Sequence, residues 1–284
     1  MARMPTLEEP YRSRAIPAGS PRYWSWLFAA RESRDPLLGI YALAAEWHAL
    51  MDPGTEPGGS ALKMAWWREE LERWSSGSPL HPITRWLAEI RGATPADASP
   101  LRQSLEAAAV HAAGTPLERA ADLERHASAL YGAPLVAAAR LAGSPAGSLL
   151  DCTNALACGQ YLAVAVGAYA REARAGRTPF AVDELLAAGI DDAALSAPVP
   201  PPPLQEYLGR LLGRAAGHFS GAAAALRRED RPALRHLLVL AELGARNLNP
   251  PRRLREHVSL RDLYHAWSAA RRATPDRRHE GVLD

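Results

Sequence analysis

The chain is 284 residues long, 48% hydrophobic and 23% charged, with a formal net charge of +2. Those are the proportions of an ordinary globular protein, and they exclude the global positive field of a nucleic-acid binder. At this length about three quarters of the unfolded surface is buried on folding, enough for one large domain or two small ones.

Residues 1–19 read as an N-terminal extension. They hold no apolar run of a secretory signal and carry adjacent Glu8 and Glu9, so the expected location is cytoplasmic, with the membrane periphery as a second option. Apolar residues then recur at spacings of three and four in "RDPLLGIYALAAEWHALMD", "ALKMAWWREELERW", "PITRWLAEI", "LERHASALYGAPLVAAARLA" and "LQEYLGRLLGRAAGHFSGAAAALR". Stops fall at Pro53–Gly54, Gly77–Pro79, Gly92–Pro95, Gly114–Pro116, Gly143–Pro145 and Gly176–Pro179. Asp35-Pro36, Ser78-Pro79 and Thr115-Pro116 read as N-caps followed by a first-turn proline. Residues 152–170, "CTNALACGQYLAVAVGAYA", are uncharged but rich in Ala and Gly, which favours a central core helix over a membrane span. Cys152 and Cys158 lie on that helix with Cα atoms about 9 Å apart, too far for a disulfide. The run "SAPVPPPP" (196–203) reads as a polyproline II connector. No segment alternates with a period of two. The expectation is an all-α protein of about ten helices, with one helical domain over 20–272 and a flexible tail over 273–284.

Arginines gather near the C-terminus, from Arg252 and Arg253 to Arg277 and Arg278, with acids interspersed. They read either as a solvated surface or as a patch for phosphate or an anionic membrane. His48 and Asp52, four apart at the end of an apolar helix, read as a residual ligand pair or as a hydrogen-bonded pair inside a core. There is no glycine-rich phosphate loop, no zinc spacing and no nucleophile elbow.

The order of landmarks resembles the squalene/phytoene synthase family over roughly residues 20–190. The matching stretches are Tyr41-Ala42-Leu43, the Trp66-Trp67-Arg68-Glu69 block, His81-Pro82, and the run from Gly176-Arg177 through Asp183-Glu184-Leu185 to Ala188-Gly189-Ile190. The resemblance implies a single-domain isoprenoid-synthase bundle around a central apolar cavity. It also implies helices 36–52 and 146–172 facing each other across that cavity. Active members join prenyl diphosphates, with two aspartate-rich helices holding magnesium against the leaving diphosphate. The hard Mg²⁺ ion takes oxygen ligands and neutralises the charge that develops there.

At the positions of the first aspartate motif this chain has His48, Ala49 and Asp52, and at those of the second Ala168 and Glu172. If each lost carboxylate–metal contact removes about 2–3 kcal/mol of transition-state stabilisation, a few losses cost about four decades in rate. The departures resemble the non-catalytic branch that assists assembly of respiratory complex I, which shares Glu46 with Asp52 and Gln160 with Ala168. The expected site is therefore His48, Asp52 and Glu172, with Asp52 and Glu172 as the metal ligands if Mg²⁺ is used at all. Arg31, Arg34 and Arg68 are the expected anion contacts. Glu172 also reads as a surface partner of neighbouring arginines, and Glu46 as solvated or paired with one. Trp66 and Trp67 read as packing anchors beside the cavity, and His81 as a turn element. Three functions follow. One is an isoprenoid-binding or assembly protein with a degenerate site. The others are a prenyl transferase with a reduced metal site, and a helical interaction module. The expected partner is a prenyl diphosphate or isoprenoid lipid, with a membrane surface or a protein as further options and no nucleic acid.

Overall fold

Alanine, leucine and arginine at helical spacing produce fourteen α-helices and one π-helical turn in the computed structural model, which describes residues 6–91, 95–144, 147–248 and 259–273. In chain order these are α1 (Glu9–Ala15), α2 (Pro21–Phe28), α3 (Arg31–Leu50), α4 (Pro57–Ser75), α5 (Pro82–Arg91), α6 (Pro95–Ala112) and α7 (Ala120–Ala127). The π-helical turn (Ser128–Gly132) follows, then α8 (Ala133–Leu141), α9 (Leu149–Arg174), α10 (Val182–Ala187), α11 (Asp192–Ser196), α12 (Pro202–Ala225), α13 (Arg231–Arg246) and α14 (Leu260–Arg272). The all-α expectation holds. Among the described residues the single β feature is an isolated parallel bridge between Leu117 and Ala181. The helices beyond the expected ten are mostly pieces of five to eight residues, too short to show a period.

Prolines open several helices, but not where the cap reading put them. Pro21, Pro57, Pro134 and Pro202 stand in first turns, where the missing N–H costs nothing. Ser20 caps α2 by accepting from the Tyr23 amide at 3.1 Å. Asp35-Pro36, in contrast, lies inside α3, which already begins at Arg31. Ser78-Pro79 and Thr115-Pro116 sit in connectors, and the helices after them start at Pro82 and Ala120. The proline-rich connector leaves Ala197 and Pro201 extended, after which Pro202 begins α12. Most of the expected tail, 274–284, lies outside the described residues.

Helix α9 is the central element. It is long and apolar enough to cross a bilayer, yet over half of that stretch is buried inside the protein. Both of its cysteines are free and buried. It packs most extensively on α12, and also on the π-helical turn and α13. Small residues permit the close approach. A Cβ on Gly159 would meet the Phe219 ring at 3.1 Å and the Ala215 carbonyl at 3.2 Å, and one on Gly244 would overlap Phe219 outright. Phe219 therefore fills a notch between α9 and α13. Gly244→Ala is expected to displace that ring and cost about 1–3 kcal/mol, read as a fall in urea midpoint. An unchanged midpoint would show that the notch is slack. Trp47 and Trp74 are fully buried in the main core, and a smaller cluster joins Trp24 to Val239, Leu243, Ala266 and Ala269.

Candidate ligand cavity

The helices enclose a cavity of about 580 Å³, within the usual range of small-molecule sites. One wall is apolar, from Leu156, Val164 and Ala168 of α9, Phe219 of α12 and Leu240 of α13. The lining also carries the polar side chains Arg22, His48, Asp52, Arg171 and Glu172. His48 and Ala168 thus line one space, as the resemblance implies.

The expected His48–Asp52 pair does not form. Helix α3 ends at Leu50, so Asp52 lies beyond the last turn and the spacing of four no longer stacks the two side chains. Each meets a different arginine. The Asp52 carboxylate accepts from Arg171 at 3.0 Å and from the Gly54 amide at 2.8 Å. His48 Nδ1 lies 3.2 Å from Arg22 Nη2. A guanidinium only donates, so Nδ1 accepts and the neutral ring carries its proton on Nε2. Burial, reinforced by the charges of Arg22 and by His111, pushes the His48 pKa down to about 3. The ring also packs against Tyr131 at 5.2 Å between centroids.

Glu172 is buried and not at the surface. Gly176 adopts φ +72°, a left-handed turn that suits glycine, and this reverses the chain so that Arg177 returns beneath α9. Arg177 donates to Glu172 at 2.9 and 2.7 Å, to the Met51 carbonyl at 3.0 Å and to the Ala112 carbonyl at 3.3 Å. One guanidinium therefore clasps the ends of α3, α6 and α9. Of the neighbouring arginines, Arg171 reaches Asp52 and Arg174 donates to the Ala170 carbonyl.

The arginines expected to meet an anion are engaged elsewhere. Arg34 donates to the Leu27 carbonyl, and its own carbonyl accepts from Trp26, tying α3 to the end of α2. Arg68 makes a bidentate pair with Glu106 at 2.6 and 2.8 Å on the surface between α4 and α6. Arg31 is exposed at the start of α3. None of the three lines the cavity; Arg22 and Arg171 do. Glu46 pairs with Arg14 at 2.7 Å. Trp67 is buried against Trp47 while Trp66 is partly exposed, and neither reaches the cavity. His81 is a turn element, its Nδ1 accepting from the Ile83 amide. His111, which also lines the cavity, stacks on His126, and burial lowers both to about 4.

The donor set does not fit Mg²⁺. Its two carboxylates are each bound to an arginine, the position one turn before Glu172 on α9 is Ala168, and His48 points its lone pair at a cation. Magnesium takes several oxygen ligands in an octahedron, and two adjacent guanidinium groups repel it. Among the described residues no three His, Cys, Asp or Glu side chains gather as a metal site needs.

No curated protein matches the chain in sequence. Solved structures share its architecture. A dehydrosqualene synthase crystallised in complex with a ligand aligns at a TM-score of 0.67 and 13% identity, covering 93% of this chain and 96% of that one. The squalene synthase HpnC from Alicyclobacillus acidocaldarius aligns at 0.68 and 16% identity, covering 84% and 90%. A sequence model of the squalene/phytoene synthase family matches residues 17–273, nearly the whole chain, and with that span matched the chain belongs to that family.

Proposed function

We propose that this protein uses the family's cavity to hold an isoprenoid lipid, as a binding or assembly protein, without efficient magnesium-dependent condensation. The observation that carries the reading is the fate of the two remaining acids. Asp52 is neutralised by Arg171 and Glu172 by Arg177, so neither is free to hold a metal against a diphosphate. The Asp52–Arg171 pair is half exposed and is worth about 0–1 kcal/mol, so it opens easily, but it releases only one carboxylate. The apolar wall built from the small residues of α9 favours a lipid chain over a purely structural module.

The test is incubation with radiolabelled farnesyl and geranylgeranyl diphosphates plus Mg²⁺, reading hydrocarbon product by chromatography and retained label by equilibrium dialysis. Retained label without condensed product is expected, and Mg²⁺ alone should give no stoichiometric heat in calorimetry. Time-dependent formation of a head-to-head product that Asp52→Ala abolishes would establish the transferase reading instead. Absence of both product and retained label would leave the interaction module.

A further inference from the structure

We propose that Arg22 is the head-group site of the cavity, holding the phosphate of an apolar-tailed ligand directly, with no metal between them. The inference rests on the lipid-binding reading and adds the chemistry of the ligand's polar end.

Arg22 stands in the first turn of α2 and faces the cavity beside His48. Its partners are the lone pair of the neutral His48 ring and the face of Tyr41, 5.6 Å from the guanidinium carbon. Among the described residues no carboxylate forms an ion pair with it, in contrast to Arg68, Arg73, Arg171, Arg177 and Arg214. Burial pulls its pKa below the ordinary arginine value, as expected of a cation without a counter-ion. A buried, uncompensated charge is costly, and an anion arriving in the cavity offsets that cost.

Geometry and charge favour Arg22 over Arg171, the other arginine of the cavity lining, and over Arg177, which pairs with Glu172. Arg171 and Arg177 are each neutralised by an acid, so their pairs add little field. Arg22 has five N–H donors and spends one on His48; it lines the cavity and none of its nitrogens is fully buried without a partner, which leaves donors for a ligand. The planar fork suits phosphate oxygens two at a time. His48 is a positioning residue: by accepting from Nη2 it turns the fork toward the cavity. Beyond the head group the ligand meets Leu156, Val164, Phe219 and Leu240, which take a hydrocarbon tail.

The experiment is calorimetry on the full chain in EDTA with farnesyl phosphate, farnesol and inorganic phosphate as separate probes. Farnesyl phosphate should bind about ten- to a hundredfold tighter than farnesol, the range of one charge-assisted contact. Arg22→Met should erase that difference, leave farnesol affinity unchanged and keep or raise the melting temperature. Arg22→Lys should restore part of it. A second readout is the His48 ring signal in NMR at pH 7.5, next to the Arg22 fork. It should shift when farnesyl phosphate binds and shift less with farnesol, since an anion then shares the space. Equal affinity for farnesol and farnesyl phosphate would overturn the inference and leave the lipid reading intact. So would preference for the phosphate that survives Arg22→Met or appears only when Mg²⁺ is added. Binding of none of the probes would overturn both.

Discussion

Moving the protein from pH 7.5 to pH 5 is expected to remove most of its folding stability. Burial holds four imidazoles neutral: His48 and His236 at about 3, His111 and His126 at about 4. A neighbouring group adds to burial in each case: Arg22 and the titration of His111 for His48, Arg235 for His236, Arg177 for His111, and the titration of His111 for His126. In the unfolded chain each titrates near its ordinary value, about 6.5. Below that value the unfolded state takes up protons that the native state excludes, so stability is complete above it and falls toward the folded values. Each histidine contributes about 1.4 kcal/mol per pH unit, and four of them over 1.5 units remove about 8 kcal/mol, against a usual total of about 5–15. Acids held below their ordinary range, such as Glu70 and Asp230, lose their contribution only at still lower pH and do not compensate. Urea unfolding by circular dichroism at pH 7.5, 6 and 5 measures the slope. In His236→Leu the slope should drop by one histidine's share, and stability at pH 7 should rise, because both ring nitrogens of His236 are buried without a partner. A midpoint that stays constant from pH 7.5 to 5 would show that these rings are hydrated.

Arg177→Met is expected to cost about 3–5 kcal/mol, the usual result of removing one partner of a buried ion pair. The loss strands the Glu172 carboxylate and leaves the Met51 and Ala112 carbonyls without their donor. The double variant Arg177→Met, Glu172→Met should regain much of that loss, since no buried charge is then left uncompensated. A urea double-mutant cycle reads the coupling directly. A cost below about 1 kcal/mol for the single variant, the value of a surface pair, would show that Glu172 reaches water.

The fold was legible in the sequence because helical periodicity and Gly/Pro stops are local signals, and α3, α4, α9 and α12 each carry several turns of them. The caps were less so: Asp35-Pro36 has the composition of a helix start, but packing let α3 begin one turn earlier. The site was legible only as a set of positions. His48 and Ala168 do line one cavity, while the contacts that set their chemistry come from far away in sequence. Arg22 is 26 residues from His48, Arg171 is 119 from Asp52, and Arg177 is 126 from Met51. A spacing of three or four cannot report such pairs. Arg34 and Arg68 stood out for standing near helix starts and motifs, yet their donors go to a nearby carbonyl and a surface acid. The clearest clue to Arg177 was Gly176 before it, since a left-handed turn at a helix end sends the next side chain back beneath the helix.

The central position of α9 has a consequence for how the chain is made. Its main packing partner, α12, ends roughly fifty residues later. At about 5–20 residues per second a ribosome needs about 3–10 s to supply it. For that interval the nascent chain displays a helix whose central residues 152–170 are uncharged, covered in part by the π-helical turn before it but open on the side that α12 will take. Until α12 emerges that side stays open to any apolar surface it meets, so the order of synthesis, and not only the final packing, bears on how the chain folds.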